Sequence, residues 1–160
     1  MGQAIQLPSV SEFMNGHLAD VFETMLAMKA RRVTGAAVPQ YAGRVTGSIG
    51  FAGDAVTGAV YLHLSTDFAK KVAATMLGIS PEEISDENEI NDVVGEATNM
   101  VTGGLKSWLC DAGAACAMST PAIIRGTSFA IEPMPDVERE CLVFNCDGNP
   151  IVVEIHIKLN

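Results

Sequence analysis

Positive charge is scarce in this 160-residue sequence, where ten Lys and Arg stand against nineteen Asp and Glu for a net charge of −9. Binding a nucleic-acid backbone requires Lys and Arg to displace counterions, so no nucleic-acid partner is expected. The same deficit argues against docking on an anionic membrane. No apolar run approaches the roughly 20 residues that span a bilayer. Met1-Gly2-Gln3-Ala4 shows no basic segment leading into an apolar one, as a secretory leader would. These absences predict a cytoplasmic protein.

Metal and redox patterns are missing as well. Cys110, Cys116, Cys141 and Cys146 match neither a zinc knuckle nor a C-x-x-C pair, and in a reducing compartment they read as small buried hydrophobes. His17, His63 and His156 are scattered singly, with no adjacent pattern that would complete a ligand set. No resident metal is expected. A phosphate-cradling glycine loop and a nucleophile elbow are also absent, which leaves little support for a small-molecule or metal-dependent enzyme.

What is present suits one folded domain over residues 1–160: 48% hydrophobic and 18% charged residues, with no long polar tract. Apolar residues at helical spacing predict a long helix from Ser9 to Arg32. Alternation from Gly43 to Leu64 around Gly53-Asp54 predicts a β-hairpin. A short helix over Thr66 to Leu77 ends at Gly78, and Asp86-Glu87-Asn88-Glu89 has the spacing of a capping box opening a second long helix to Cys110. Short strands follow at Cys116–Met118, Ala122–Arg125, Ser128–Pro133, Arg139–Asn145 and Ile151–Leu159, the last two around an Asp147-Gly148-Asn149-Pro150 turn. Two loosely similar halves, each with a helix that must cover a sheet, predict an α+β fold. Its sheet should be mainly antiparallel, with both long helices on one face.

The segment from Asp92 to Gly104 carries the chemistry. At about 100° per residue, Asp92, Glu96, Asn99 and Gly103 fall within an arc of roughly 60°, opposite Val93, Val94, Ala97, Met100, Val101, Leu105 and Trp108. That polar stripe must face solvent. Gly95, Gly103 and Gly104 each cost a helix interior about 1 kcal/mol against alanine. Bare backbone beside an acid and an amide suggests the close approach of another macromolecule, although Gly103 and Gly104 could instead pack against a neighbouring element. Glu96 and Asn99, at i and i+3, project side by side. A carboxylate can pair with a lysine, and a carboxamide can donate to and accept from a single water. Phosphoryl transfer needs mainly that positioning. Taken alone, E-x-x-N is also an ordinary solvated helix face.

The run Asp92-x-x-x-Glu96-x-x-Asn99-Met100-x-x-Gly103, followed by Ser119-Thr120-Pro121-Ala122-Ile123-Ile124-Arg125-Gly126, resembles the CheX-like branch of the CheC, CheX and FliY phosphatases of bacterial chemotaxis. The resemblance implies hydrolysis of the aspartyl phosphate of a phosphorylated CheY-type response regulator. It further implies no cofactor of the chain's own, with Mg²⁺ supplied by the regulator. Glu96 would pair with the regulator's lysine and Asn99 would orient water. Asp92, with Gly95 and Gly103, would be supporting or partner-contact residues, Asp92 doing no more than favouring the helix N-terminal half in the plainer reading. Ser119, Pro121 and Gly126 read as turn and strand-packing positions. A homodimer formed through sheet edges is also implied.

A second E-x-x-N, Glu12-Phe13-Met14-Asn15, lacks the same flanks: Pro8 stands four residues before the acid and Ala19 four after the amide. It reads as a decoy, with Glu12 placed as a capping acid three residues after Ser9. The alternative to catalysis at Glu96 and Asn99 is a docking module that binds a regulator or receptor through the same helix face without hydrolysing anything.

Overall fold

The computed structural model describes residues 5–160, so the opening Met1 to Ala4, read above for a leader, lie outside the described residues. Helix α1 spans Leu7–Leu26 and turns Val10, Met14, Leu18, Val21 and Phe22 inward, with Pro8 in its first turn, where no amide partner is lost. It stops six residues before the expected Arg32. Ala27 takes the left-handed conformation and the Met28 amide donates back to the Phe22 carbonyl at 3.3 Å, which reverses the chain. Arg31–Arg32 then form strand β1 against Asn145 and Phe144. The residues 27–32 are good helix formers, but sheet pairing, with burial of Ala30, overrides that propensity.

Strands β2 (Arg44–Ala52) and β3 (Val56–Ser65) form the expected hairpin. Helix α2 (Thr66–Leu77) is capped by the Ser65 hydroxyl and ends at Gly78 with φ +70°. Helix α3 (Glu87–Asp111) follows, then the short strands β4 (Ala117–Met118) and β5 (Ala122–Gly126) and the hairpin β6 (Glu138–Cys146) and β7 (Asn149–Leu159). All strand pairs are antiparallel, in the order β1-β6-β7-β3-β2-β4, with β5 also on β2. The apolar run of β7 sits inside the sheet, between β6 and β3.

One face of the sheet carries the helices. Val60, Leu62 and Leu64 of β3 and Ile151, Val153, Ile155 and Ile157 of β7 share a core with Met14, Phe68, Val94, Val101 and Leu105 from the three helices. Alternation turns Tyr61, His63, Glu154 and His156 to the second face. This is the α+β arrangement predicted above.

Two expectations are corrected. Ser128–Pro133 is not a strand but lies in a loop, because the Phe129 carbonyl accepts from the Arg44 guanidinium, which also stacks 3.6 Å from the Phe129 ring centroid. At Phe129 the carbonyl that would have sought a ladder is met by a side chain instead. The cysteines are not uniformly buried: Cys146 is, Cys116 and Cys141 are partly so, and Cys110 is exposed in the last turn of α3.

Candidate functional site

Asp86 begins α3 by accepting the Asn88 amide at 2.9 Å, and Glu87 and Glu89 place negative charge in the first turn. The capping box expected here is only half made, since Glu89 does not return to the cap and its buried Oε2 has no hydrogen-bond partner. At the other end Gly113, φ +92°, closes the helix, with the Ala114 amide donating to the Leu109 carbonyl at 2.8 Å. Between these ends Val93, Val94, Ala97, Val101 and Leu105 are buried. Thr98 and Thr102 are buried too, and their hydroxyls donate to the Val94 and Thr98 carbonyls at 2.7 and 2.8 Å. Gly47 lies directly beneath Thr98: a Cβ there would stand 1.8 Å from the threonine Oγ1, so α3 rests on β2 with only the threonine side chain between.

On the outer side Asp92 and Glu96 are exposed and Asn99 is half-buried. With Asn91, Gly95, Pro121 and Ile123 they line a groove of about 300 Å³ between α3 and the segment entering β5. Among the described residues no protein group hydrogen-bonds to the side chains of Asp92, Glu96 or Asn99. The acid and the amide are therefore free to meet something that arrives from solvent. The groove offers two carboxylates and no histidine or cysteine, and among the described residues no three His, Cys, Asp or Glu side chains are placed to hold a metal ion.

The three glycines divide. Space around Gly103 is open, which leaves the helix backbone approachable. A Cβ on Gly104 would stand 2.0 Å from the His17 ring, whose Nε2 lies 3.1 Å from the Met100 carbonyl and whose ring stacks on Phe13. Gly104 thus serves the packing of α1 on α3. Gly95 is buried, with Pro121 about where a Cβ would touch at 3.5 Å. Its place is in the groove wall, and the expectation of bare backbone for a partner narrows to Gly103. Ser119 and Gly126 take the packing roles read from the sequence: the Ser119 hydroxyl accepts the Gly50 amide at 3.0 Å, and Gly126 makes room for Phe129.

The E-x-x-N of α1 is already engaged. Asn15 Oδ1 accepts from Arg32 Nε at 3.0 Å, while Glu12 stands exposed in a separate depression beside Pro8 and Glu140. Its amide anchors β1.

Spacing along the chain gave no sign of two other features. Arg125 of β5 reaches α3, donating from Nε and Nη2 to Asn91 Oδ1 at 3.0 and 2.6 Å. On the second face of the sheet Glu154 accepts from His63 Nε2 at 3.0 Å, Arg139 Nε at 2.9 Å and His156 Nε2 at 2.6 Å. Thr46 Oγ1 lies 2.7 Å from the remaining nitrogen of His63. Burial pushes the Glu154 carboxyl up, but hydrogen bonds from His63, Arg139 and His156, with the Arg139 charge, outweigh it and hold the group at about 2. Burial and the Glu154 charge push the Tyr61 phenol up.

Comparison with known proteins follows the same lines. The family model described as chemotaxis phosphatase CheX matches residues 45–145. A CheX chemotaxis protein of Vibrio vulnificus is similar in structure, with a TM-score of 0.80 at 25% identity, covering 97% of this chain and 100% of its own. A CheC-like superfamily protein of Shewanella sp. PV-4 gives 0.79 at 28%, covering 96% and 99%. A Borrelia burgdorferi CheX, solved in a complex with CheY, BeF3 and Mg²⁺, shares the fold with a TM-score of 0.74 at 22% identity, covering 97% and 99%. A search of curated protein sequences finds no match.

Proposed function

Because this chain belongs to the CheX family of chemotaxis phosphatases, we propose that it hydrolyses the aspartyl phosphate of a CheY-type response regulator, with Glu96 and Asn99 carrying the chemistry. One observation supports this most: an acid and an amide one helical turn apart, both free of protein partners among the described residues, lining a groove beside the open backbone at Gly103. In a chain that only needed a solvated helix face, neither a groove nor a bare approach would be required.

The roles follow from the chemistry of the two side chains. The Glu96 carboxylate pairs with the regulator's active-site lysine and fixes the complex in register. The Asn99 carboxamide donates to and accepts from one water, holding it in line with the phosphorus. Asp92, one turn before Glu96, adds negative charge that attracts the lysine side of the partner. Mg²⁺ comes with the regulator in this reading, as the resemblance to the CheC, CheX and FliY phosphatases implies. No helix among the described residues is long and apolar enough to cross a membrane. Cytoplasmic residence belongs to the same proposal.

Homodimerisation through a sheet edge is also part of the reading. β1 covers only Phe144 and Asn145 of β6, so the stretch Glu138–Leu142 has no strand on its outer side among the described residues. Sedimentation or light scattering should return twice the 16.8 kDa chain mass.

The decisive assay follows the decay of phosphorylated regulator with and without this protein. Wild type should accelerate it, and Asn99→Ala should lose about a hundredfold of that acceleration, the scale for removing one preorganised hydrogen-bonding group. Regulator binding that persists with no change in phosphate lifetime, for wild type and variant alike, would establish the docking module instead.

A further inference from the structure

We infer that Arg125, acting through Asn91, is a positioning residue for the Glu96 and Asn99 groove, an inference that rests on the phosphatase reading and deepens it. The groove has two walls. Asn91, Asp92, Gly95, Glu96 and Asn99 form one on α3, and Pro121 and Ile123, at the start of β5, form the other.

The second wall is lightly held. β5 has five residues, pairs with β2 alone and leaves its outer edge without a strand among the described residues. Short edge strands open at low free-energy cost, so the wall would drift unless something tied it to the helix. Ile123 packs against the core, and the Arg125 guanidinium on Asn91 Oδ1 ties the far side of the strand to α3. Arg125 Nη2 also lies 3.4 Å from the Glu87 carbonyl, and Nε lies 4.0 Å from the Glu87 carboxylate. The Asn91 contact lands on the helix five residues before Glu96.

The orientation of Arg125 runs against ordinary sheet patterning. Ile123 pairs with Gly47 and Arg125 with Val45, which sets both toward the helices, while Ile124 faces away and is 38% exposed. Alternation would normally send the charge outward and the isoleucine inward. Here an arginine occupies the inward position, only 26% exposed, and Asn91 receives it. Two N–H groups converging on one amide oxygen need a planar fork, which lysine lacks. A local departure from pattern of this kind marks a place where function constrains the chain.

The experiment compares wild type with Asn91→Ala, Asn91→Asp, Arg125→Ala and Arg125→Lys in steady-state dephosphorylation of a phosphorylated CheY-type regulator, together with amide hydrogen exchange at residues 122–125. Asn91→Ala and Arg125→Ala should lower kcat about tenfold, with KM within twofold, and should speed exchange in β5. Asn91→Asp keeps the acceptor and should restore both readouts. Arg125→Lys, which keeps stem and charge without the fork, should retain the wild-type melting temperature but not the wild-type kcat. A merely structural role would lower the melting temperature and leave kcat per folded molecule unchanged. If wild type is active and the alanine variants keep kcat within twofold, the positioning role is overturned while the phosphatase reading stands. A wild type without activity fails the phosphatase reading and removes the positioning role with it.

Discussion

Glu96 and Glu154 are the same residue put to opposite uses. Glu96 stands exposed on α3 with no protein donor upon it, whereas Glu154, 4% exposed on β7, accepts from two histidines and an arginine. A buried carboxylate held by three donors is closed to a visitor and is held in its charged form by its neighbours. A carboxylate meant to meet another protein's lysine must arrive unsaturated. The comparison separates a charge that organises the chain from one that, under the proposed function, is left free for a partner.

The largest test removes the saturated acid. Glu154→Ala leaves two buried imidazoles without their acceptor beside a cavity and should cost about 4 kcal/mol in urea unfolding, the scale for two unsatisfied buried donors. Glu96→Ala should stay within about 0.5 kcal/mol of wild type, as exposed substitutions do. Equal costs would break the comparison.

Acid provides the next. The folded-state value of Glu154, about 2, lies below its ordinary 4.5, so the stabilisation is fully present above the ordinary value and is lost as pH falls from about 4.5 toward 2. Over that window the loss should be on the order of 3 kcal/mol. Urea midpoints measured at pH 5, 4 and 3 should fall steadily in wild type and more weakly in Glu154→Gln. A flat wild-type profile would show that the three donors do not prefer the charged carboxylate.

The third test inverts the first. Asn99→Ala should leave the urea midpoint unchanged and abolish about 2.7 kcal/mol of transition-state stabilisation, the equivalent of the hundredfold loss stated above. A smaller effect separates the glycines. Gly103→Ala should stabilise the free chain by up to about 1 kcal/mol through helix propensity and, under the proposed function, weaken regulator binding, because the added methyl would enter the open space left for the partner. Gly104→Ala should destabilise instead, since His17 already fills that space.

Much of this was readable from the chain because local rules and tertiary demands agreed. Thr66–Leu77 had its own stop at Gly78, and α3 had an acidic start and an unbroken apolar stripe, so both were placed within a residue of their ends. The stripe of Asp92, Glu96 and Asn99 followed from helical geometry alone. Arg31–Arg32 and Ser128–Pro133 were misread because their partners, β6 and Arg44, are remote in sequence. The same remoteness hid Glu154, whose partner His63 meets it only through the β3–β7 register. It also hid Arg125, whose inward orientation depends on pairing with Val45. Three glycines with one compositional appearance proved to have different neighbours, which no helical wheel of α3 by itself could reveal.

The hydrogen bond between Asn15 and Arg32 has a bearing on how such a chain could change. α1 already displays a glutamate and an asparagine at the spacing that α3 uses, so a duplicate centre looks a single step away. Yet releasing that asparagine would loosen the outermost strand of the sheet, and restoring the strand would call for a replacement anchor elsewhere. Evolution toward two matching helices would therefore have to cross a less stable intermediate, which favours a chain that keeps α1 architectural and leaves the free acid and amide to α3.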